Sequence, residues 1–260
     1  MLWACAAPGS AAAAKAKPSV AGGVPASLAD FGFTVAILQD GKFICSGSVI
    51  SPTRVLTAAH CVTVAASRLA VVAGRTSLGG SGGEVLPVSG ASRHPESNLV
   101  FRNDLAVLAL GTPTTQPTIK LATAEEDAAT TSLGSTLTVA GFGRRNVFGF
   151  GKPRVGSLYA ANLFSRPGCK KYRGRFFPAE MICANGAPFQ RLFRLKLMRT
   201  ACPGDSGGPL IANTPSGPRQ VGVVSFGVST PFILCGEKGF PGVFSRVSFF
   251  GPFLAPYAAG

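Results

Sequence analysis

Short apolar runs that alternate with turn residues dominate the chain from Phe33 onward. The runs are rich in Val, Ile, Leu and Phe and are bounded by Gly, Pro and Ser, which is typical of β-strands joined by tight turns. The pattern predicts strands at Phe33–Leu38, Lys42–Ile50, Val55–Ala59, Leu69–Ala73, Leu105–Leu110, Thr136–Phe142, Val155–Leu163, Pro209–Ala212, Val221–Phe226 and Gly242–Val247. This layout favours two antiparallel β units over an alternating β-α-β fold.

Two segments of different composition interrupt the strand pattern near the middle of the chain. They are the Thr/Pro-rich Gly111–Thr118 and the small-residue Ala122–Gly134, and together they favour a linker between two halves. We therefore expect an N-terminal half at 20–133 and a C-terminal half at 134–260, which together form one unit. Residues 1–19 are Ala-rich and suggest a leader or propeptide, although they lack the basic start and long apolar core of a usual signal peptide.

The net positive charge of the chain narrows its possible binding partners only to a broad class. The 260 residues carry 25 Lys plus Arg against 11 Asp plus Glu, a formal net charge of +14, and about half of the basic residues lie between Arg144 and Arg199. Such a face attracts anionic partners over long range, or is simply solvated surface. No nucleic-acid motif accompanies it, so specific nucleic-acid binding is not expected. No apolar run is long enough for a membrane-spanning helix.

Seven cysteines constrain the compartment and the chemistry. They are Cys5, Cys45, Cys61, Cys169, Cys183, Cys202 and Cys235. None forms a CxxC pair, so we expect no structural zinc site, and no metal or other cofactor is predicted. Six of them can form three disulfides, which implies an oxidising compartment and leaves one cysteine over.

Three local motifs carry residues suited to nucleophilic catalysis. His60 ends Thr57-Ala58-Ala59-His60, Asp104 precedes the apolar run Leu105–Leu110, and Ser206 lies within Gly204-Asp205-Ser206-Gly207-Gly208. A serine hydroxyl is a weak nucleophile at neutral pH and needs an adjacent base that a third group orients. Each motif alone is common in proteins without catalysis, but the three together in this order indicate a hydrolase. The other histidine, His94, matches none of them and is interpreted as structural.

In this order the motifs resemble those of the chymotrypsin/trypsin family of serine proteases, over roughly Val20 to Leu254. The resemblance implies an all-β fold of two packed antiparallel six-stranded β-barrels with a short C-terminal helix. It also implies a serine endopeptidase with Ser206 as nucleophile, His60 as general base and Asp104 as the partner that orients His60. The backbone N–H groups of Gly204 and Ser206 would form the oxyanion hole.

The same resemblance implies three disulfides and an activation step. The pairs would be Cys45–Cys61, Cys169–Cys183 and Cys202–Cys235. Val20-Ala21-Gly22-Gly23 is similar to the family's mature N-terminus, whose free ammonium would pair with the aspartate before the nucleophile, here Asp205. Ser19 precedes Val20 and Lys17 is followed by Pro18, so a trypsin-like activating enzyme is not expected.

By resemblance, a primary substrate pocket would be lined by Thr200, Ser225, Phe226, Gly227 and Gly242. No Asp or Glu occurs from Met181 to Gly204, so the sequence predicts an apolar or aromatic P1 residue rather than Arg or Lys. The basic and apolar segment at 184–199 is longer than the family usually carries. It is a surface loop, a membrane- or partner-binding element, or an artefact of the gene model such as a retained intron.

The resemblance further implies a secreted monomer that acts on polypeptide substrates and meets protein inhibitors. The main alternative is a catalytically silent homologue that binds anionic partners through its basic face. Other Ser-His-Asp hydrolases use another residue order and a Gly-x-Ser-x-Gly turn on a parallel sheet, which the strand-rich pattern argues against.

Overall fold

Two closed barrels of antiparallel strands form most of the structure, a computed structural model that describes residues 20–98, 101–143, 156–172, 174–192, 194–228 and 235–258. The predicted leader at 1–19, with Cys5, lies outside these residues. The described part begins with a two-residue strand β1 (Val24–Pro25) and a single helical turn α1 (Leu28–Phe31).

The first barrel closes through the pairing of its first and fourth strands. Its strands are β2 (Thr34–Gln39), β3 (Lys42–Ser51), β4 (Arg54–Thr57), β5 (Leu69–Ala73), β6 (Glu84–Arg93) and β7 (Ala106–Leu110). Their order around the barrel is β2-β3-β4-β7-β6-β5. Val35, Ile37, Val55, Leu56 and Leu108 are fully buried and belong to the core cluster of this barrel, and consecutive buried residues such as Val55 and Leu56 show that both faces of β4 are covered.

A two-residue Asp40-Gly41 turn joins β2 to β3. Both residues have positive φ, 49° and 75°, and Gln39 pairs with Lys42 across the turn. Asp-Gly suits this geometry because glycine pays no Cβ penalty and aspartate tolerates the left-handed region. The turn fixes the register of β3, the strand that leads to Cys45 and Ser46.

The second barrel follows a short connection made of β8 (Lys120–Leu121) and helix α2 (Ala124–Thr130). The later strands are β9 (Thr136–Gly141), β10 (Tyr159–Ser165), β11 (Met181–Asn185), the hairpin strands β12 (Pro188–Leu192) and β13 (Leu195–Met198), β14 (Pro209–Thr214), β15 (Gly217–Phe226) and β16 (Gly242–Arg246). The order β10-β11-β16-β15-β14-β9, with β9 paired to β10, closes the ring, and β1 pairs with β10 at its edge. The chain ends in helix α3 (Gly251–Ala258).

The fold class is confirmed: two closed six-stranded antiparallel barrels and a short C-terminal helix. Helix α3 forms despite Pro252 and Pro256, and Pro252 is tolerated because it lies in the first turn. None of the helices among the described residues is long and apolar enough to cross a membrane.

Several elements were not predicted from the pattern. Helix α2 lies inside the segment Ala122–Gly134 that we interpreted as a linker, and a capping box between Thr123 and Glu126 begins it. Strand β6 has only two buried residues, Leu86 and Val88, so its apolar signal is weak. The predicted end of the third strand, Ala59, instead begins the 3₁₀ turn Ala59–Cys61.

Candidate active site

His60 and Asp104 meet where two neighbouring strands of the first barrel end. β4 pairs with β7 so that Thr57 lies opposite Ala106, which brings the 3₁₀ turn after β4 next to the residue before β7. His60 Nδ1 lies 2.8 Å from Asp104 Oδ2, and the His60 backbone N–H donates to Asp104 Oδ1 at 2.9 Å. A carboxylate oxygen accepts hydrogen bonds, so Nδ1 is the donor in this contact, and a neutral imidazole with its proton on Nδ1 presents Nε2 as an acceptor.

The second barrel holds the same carboxylate from the other side. Asp104 is 2% exposed, and Ser225 Oγ donates to its Oδ2 at 2.5 Å. Ser245 Oγ donates to its backbone carbonyl at 3.1 Å. Sequence reasoning assigned Ser225 to the substrate pocket alone. The structure gives it a second contact that fixes Asp104 between the barrels.

Ser206 lies on a tight turn before β14 that packs against the first barrel. Gly204 and Gly207 have φ of +96° and +80°, and a Cβ on Gly207 would lie 2.1 Å from Thr57 Oγ1. Glycine is therefore required at Gly207 both for its backbone conformation and for space. The Ser206 carbonyl accepts a hydrogen bond from Ser46 N–H at 2.8 Å. Gly204 and Ser206, the residues expected to form an oxyanion hole, share this turn.

One cavity of about 250 Å³ contains Ser206 and His60 in its lining. All five predicted pocket residues line it too: Thr200, Ser225, Phe226, Gly227 and Gly242. Thr200 is 3% exposed and its Oγ1 has no hydrogen-bond partner, and a Cβ on Gly242 would lie 3.0 Å from that oxygen. No Asp, Glu, Lys or Arg occurs among the described residues that line the cavity.

Phe101 completes the cavity wall and was missed by sequence reasoning. It has a φ of 62°, its ring packs edge-on against His60 at 5.3 Å between centroids, and it lies 5.4 Å from the Phe226 ring. Tyr172 packs against the other side of Phe226 at 5.4 Å, and burial raises the pKa of Tyr172 to about 12. Nothing in the local sequence marks Phe101, because its position depends on a left-handed backbone three residues before Asp104.

Asp205 is a buried carboxylate beneath the nucleophile turn. It is 0% exposed, its Oδ1 accepts from Gly143 N–H and its Oδ2 from Cys202 N–H, both at 2.8 Å. Burial raises its pKa to about 7, against the lowering effect of these two hydrogen bonds. Among the described residues, Asp205 has no salt-bridge partner.

The segment that begins at Val20 is docked on the second barrel. Val20 is 0% exposed in that core, and Ala21 pairs with Thr200 through a backbone hydrogen bond of 3.1 Å. Gly22 has a φ of +67°, and a Cβ there would lie 2.4 Å from the Phe189 ring. The segment that starts at Val20 therefore lies next to Thr200, one of the residues that line the substrate cavity.

The structure contains the disulfides Cys45–Cys61, Cys169–Cys183 and Cys202–Cys235, the pairs implied by the resemblance. Cys45, His60 and Cys61 form a group with spacing suited to a metal, but both sulfurs belong to the first disulfide. His94 lies elsewhere, with its ring against Phe250 and Phe253.

Comparisons with known proteins identify the family. A family model described as Trypsin matches residues 20–254. The chain is 33% identical over 233 residues to a protein named Trypsin from Saccharopolyspora erythraea, covering 88% of this chain and 93% of the relative. It is 34% identical over 255 residues to a Trypsin-like protease from Streptomyces glaucescens, covering 95% and 85%. It is 30% identical over 238 residues to Trypsin beta from Drosophila erecta, covering 88% and 84%. The chain belongs to the trypsin family and is a serine endopeptidase that acts on polypeptides.

Proposed function

We propose that Ser206, His60 and Asp104 are the catalytic triad of this endopeptidase. The observation that carries the proposal is the His60 Nδ1–Asp104 contact of 2.8 Å, with Ser206 and His60 on one cavity. Ser206 Oγ attacks the scissile carbonyl carbon while His60 Nε2 accepts its proton. The tetrahedral adduct then expels the amine, which takes that proton from His60, and an acyl-enzyme remains. Water hydrolyses the ester with His60 again as base.

The charge that develops on the carbonyl oxygen needs donors that are already in place. We assign this role to the backbone N–H groups of Gly204 and Ser206, which share the turn that Gly204 and Gly207 shape. Losing one such donor typically costs about a hundred- to a thousandfold in turnover. The hydrogen bond from Ser46 N–H to the Ser206 carbonyl supports this turn.

We propose an apolar or aromatic P1 preference. The support is a cavity whose buried base carries the neutral hydroxyl of Thr200 and whose walls include Phe226 and Phe240. A guanidinium or ammonium in such a site would be desolvated without a counter-charge, which costs several kcal/mol. Relatives named trypsin therefore give no direct guide to P1 in this chain.

A panel of fluorogenic peptides that differ only at P1 tests this function. We expect the chain that begins at Val20 to cleave after Phe or Leu with kcat/KM at least about tenfold above Arg or Lys, because the base is uncharged. Thr200→Asp places a carboxylate at that base and should shift the preference toward Arg. Ser206→Ala is the control for contaminating protease. Highest activity after Arg or Lys in the unaltered chain would contradict the P1 proposal.

We further propose that cleavage before Val20 switches the enzyme on. The new ammonium would pair with Asp205, whose buried carboxylate has no cationic partner among the described residues. In this proposal residues 1–19 are a propeptide. We also propose that residues 20–260 form one peptidase unit with halves at 20–133 and 134–260. The three disulfides support a secreted protein, and we propose a monomer that protein inhibitors can block.

A catalytically silent protein that binds anions requires a disabled triad. All three triad side chains are present, and the His60–Asp104 geometry is formed. We therefore propose that the protein is an active protease, and that any binding of anionic partners by its basic surface accompanies this activity.

A further inference from the structure

The β12–β13 hairpin extends the wall of the substrate cavity. Leu197 of β13 lies opposite Glu237, and backbone hydrogen bonds join Met198 N to Gly236 O at 2.6 Å and Lys238 N to Lys196 O at 2.9 Å. Gly236 itself lines the cavity. Within the long segment at 184–199, Pro188–Leu192 and Leu195–Met198 thus form a separate two-stranded sheet beside the substrate-binding wall.

Three cations form a row across these strands. Arg191 lies directly opposite Lys196 in the hairpin register. Because Leu197 pairs with Glu237, Lys196 lies opposite Lys238. All three side chains are exposed. Directly opposite residues of antiparallel strands have Cβ atoms about 4.5–5.5 Å apart, and like charges at such positions destabilise the sheet.

No anionic side chain in the described part of the chain forms a salt bridge with this row. None of the ion pairs among the described residues involves Arg191, Lys196 or Lys238. Glu237 shares the face of Leu197, which is 0% exposed, and its Oε2 is buried without a hydrogen-bond partner. A row of like-charged, solvent-facing cations without a salt bridge among the described residues is an arrangement expected of a binding surface.

One member of the row, Lys238, lies in the chain between Gly236 and Phe240, which both line the cavity. Lys171 lies beside the same segment, with its Nζ 5.5 Å from the centroid of the Phe240 ring. Phe240 lines the cavity. The cations therefore lie on, or are paired with, a chain segment that forms part of the cavity wall.

We propose that Arg191, Lys196 and Lys238 bind an acidic segment of the polypeptide substrate outside the cleavage pocket. This inference rests on the proposed function, since it places the surface beside the site that holds the substrate. Alternate residues of an extended peptide are about 7 Å apart, a spacing that long Lys and Arg side chains can meet. The contacts are charge-assisted and exposed, so salt should weaken them.

Binding is measured on the Ser206→Ala chain that begins at Val20, so that no cleavage occurs. The probes are a fluorescein-labelled peptide of consecutive glutamates and a matched glutamine peptide. At low salt we expect the glutamate peptide to bind, and Arg191→Gln/Lys196→Gln/Lys238→Gln to weaken binding at least about tenfold, the effect of losing 1.4 kcal/mol. A matched control, Arg54→Gln/Arg93→Gln/Lys120→Gln, removes the same charge from β4, β6 and β8 instead of the hairpin wall and should change binding less than about twofold.

Turnover is measured with one peptide core that carries a glutamate or a glutamine extension on either side of the scissile bond. We expect kcat/KM in the unaltered chain to favour a glutamate extension, through a lower KM, and the hairpin triple variant to lose that preference. Equal loss in the matched control variant, or binding of heparin without any glutamate preference, would overturn the proposal. If no peptide is cleaved at all, the proposed function fails, while the binding measurement still decides the surface.

Discussion

Asp104→Asn is expected to lower kcat by about 10⁴-fold without disturbing the fold. This is the loss that the same change of the triad aspartate causes in the chymotrypsin family. Asn can still accept from the His60 backbone N–H, as Asp104 Oδ1 does at 2.9 Å. Its NH₂ group then faces His60 Nδ1, which must become the acceptor. The proton moves to Nε2, so His60 can no longer take the proton of Ser206.

The measurement is steady-state kinetics on the best P1 peptide, with circular dichroism to confirm folding. Ser225→Ala is the matched control, because it removes a different hydrogen bond to the same carboxylate and leaves the tautomer unchanged. We expect it to cost far less than the Asn variant. A loss of less than about tenfold for Asp104→Asn would show that Asp104 does not set the tautomer of His60.

Exposing Val20 as the first residue is expected to raise kcat/KM by about a hundredfold or more over the full-length chain. Breaking a buried charge pair costs about 3–5 kcal/mol, and each 1.4 kcal/mol is tenfold, so pairing Asp205 with a new ammonium can shift the population toward a formed pocket. The processed chain is made with a fusion partner whose removal leaves Val20 first. Asp205→Asn should abolish the gain, whereas Asp40→Asn, on an exposed carboxylate paired with Arg68, should keep it.

The same carboxylate gives the full-length chain a characteristic pH dependence. Burial raises the pKa of Asp205 from 3.8 to about 7, so the folded chain holds this proton more tightly than the unfolded chain. The resulting stabilisation is fully present below about pH 4 and is lost as the pH rises to about 7. Urea unfolding of the full-length chain and its Asp205→Asn variant across this range isolates the effect of Asp205 on the free energy of unfolding.

For the activation step, equal kcat/KM of the full-length chain and of the chain that begins at Val20 would refute the proposal that exposing Val20 switches the enzyme on.

The parts of the site that sequence could predict are those carried by local motifs. His60, Asp104 and Ser206 each lie in a short motif. Apolar runs bounded by turn residues predicted strands such as β2 and β3, whereas the two closed barrels were implied by the family resemblance. Turn chemistry was equally local, since Asp40-Gly41 predicts a tight hairpin wherever it joins two apolar runs.

What could not be predicted depends on contacts between distant segments. Phe101 reaches His60 through a left-handed backbone, and Ser225 reaches Asp104 from the other barrel, 121 residues away. The row of Arg191, Lys196 and Lys238 exists only because a bridge sets Leu197 opposite Glu237. The pairing of these two distant residues cannot be inferred from residue spacing along the sequence.

Labelling by a fluorophosphonate probe tests the central claim most directly, because the probe forms a covalent bond only with an activated serine. We expect the chain that begins at Val20 to take up one label, which mass spectrometry places on Ser206. His60→Ala should suppress the reaction, and Ser206→Ala should abolish it. A processed, folded chain that takes up no label, or that is labelled at another residue, would contradict the assignment of Ser206 as the nucleophile.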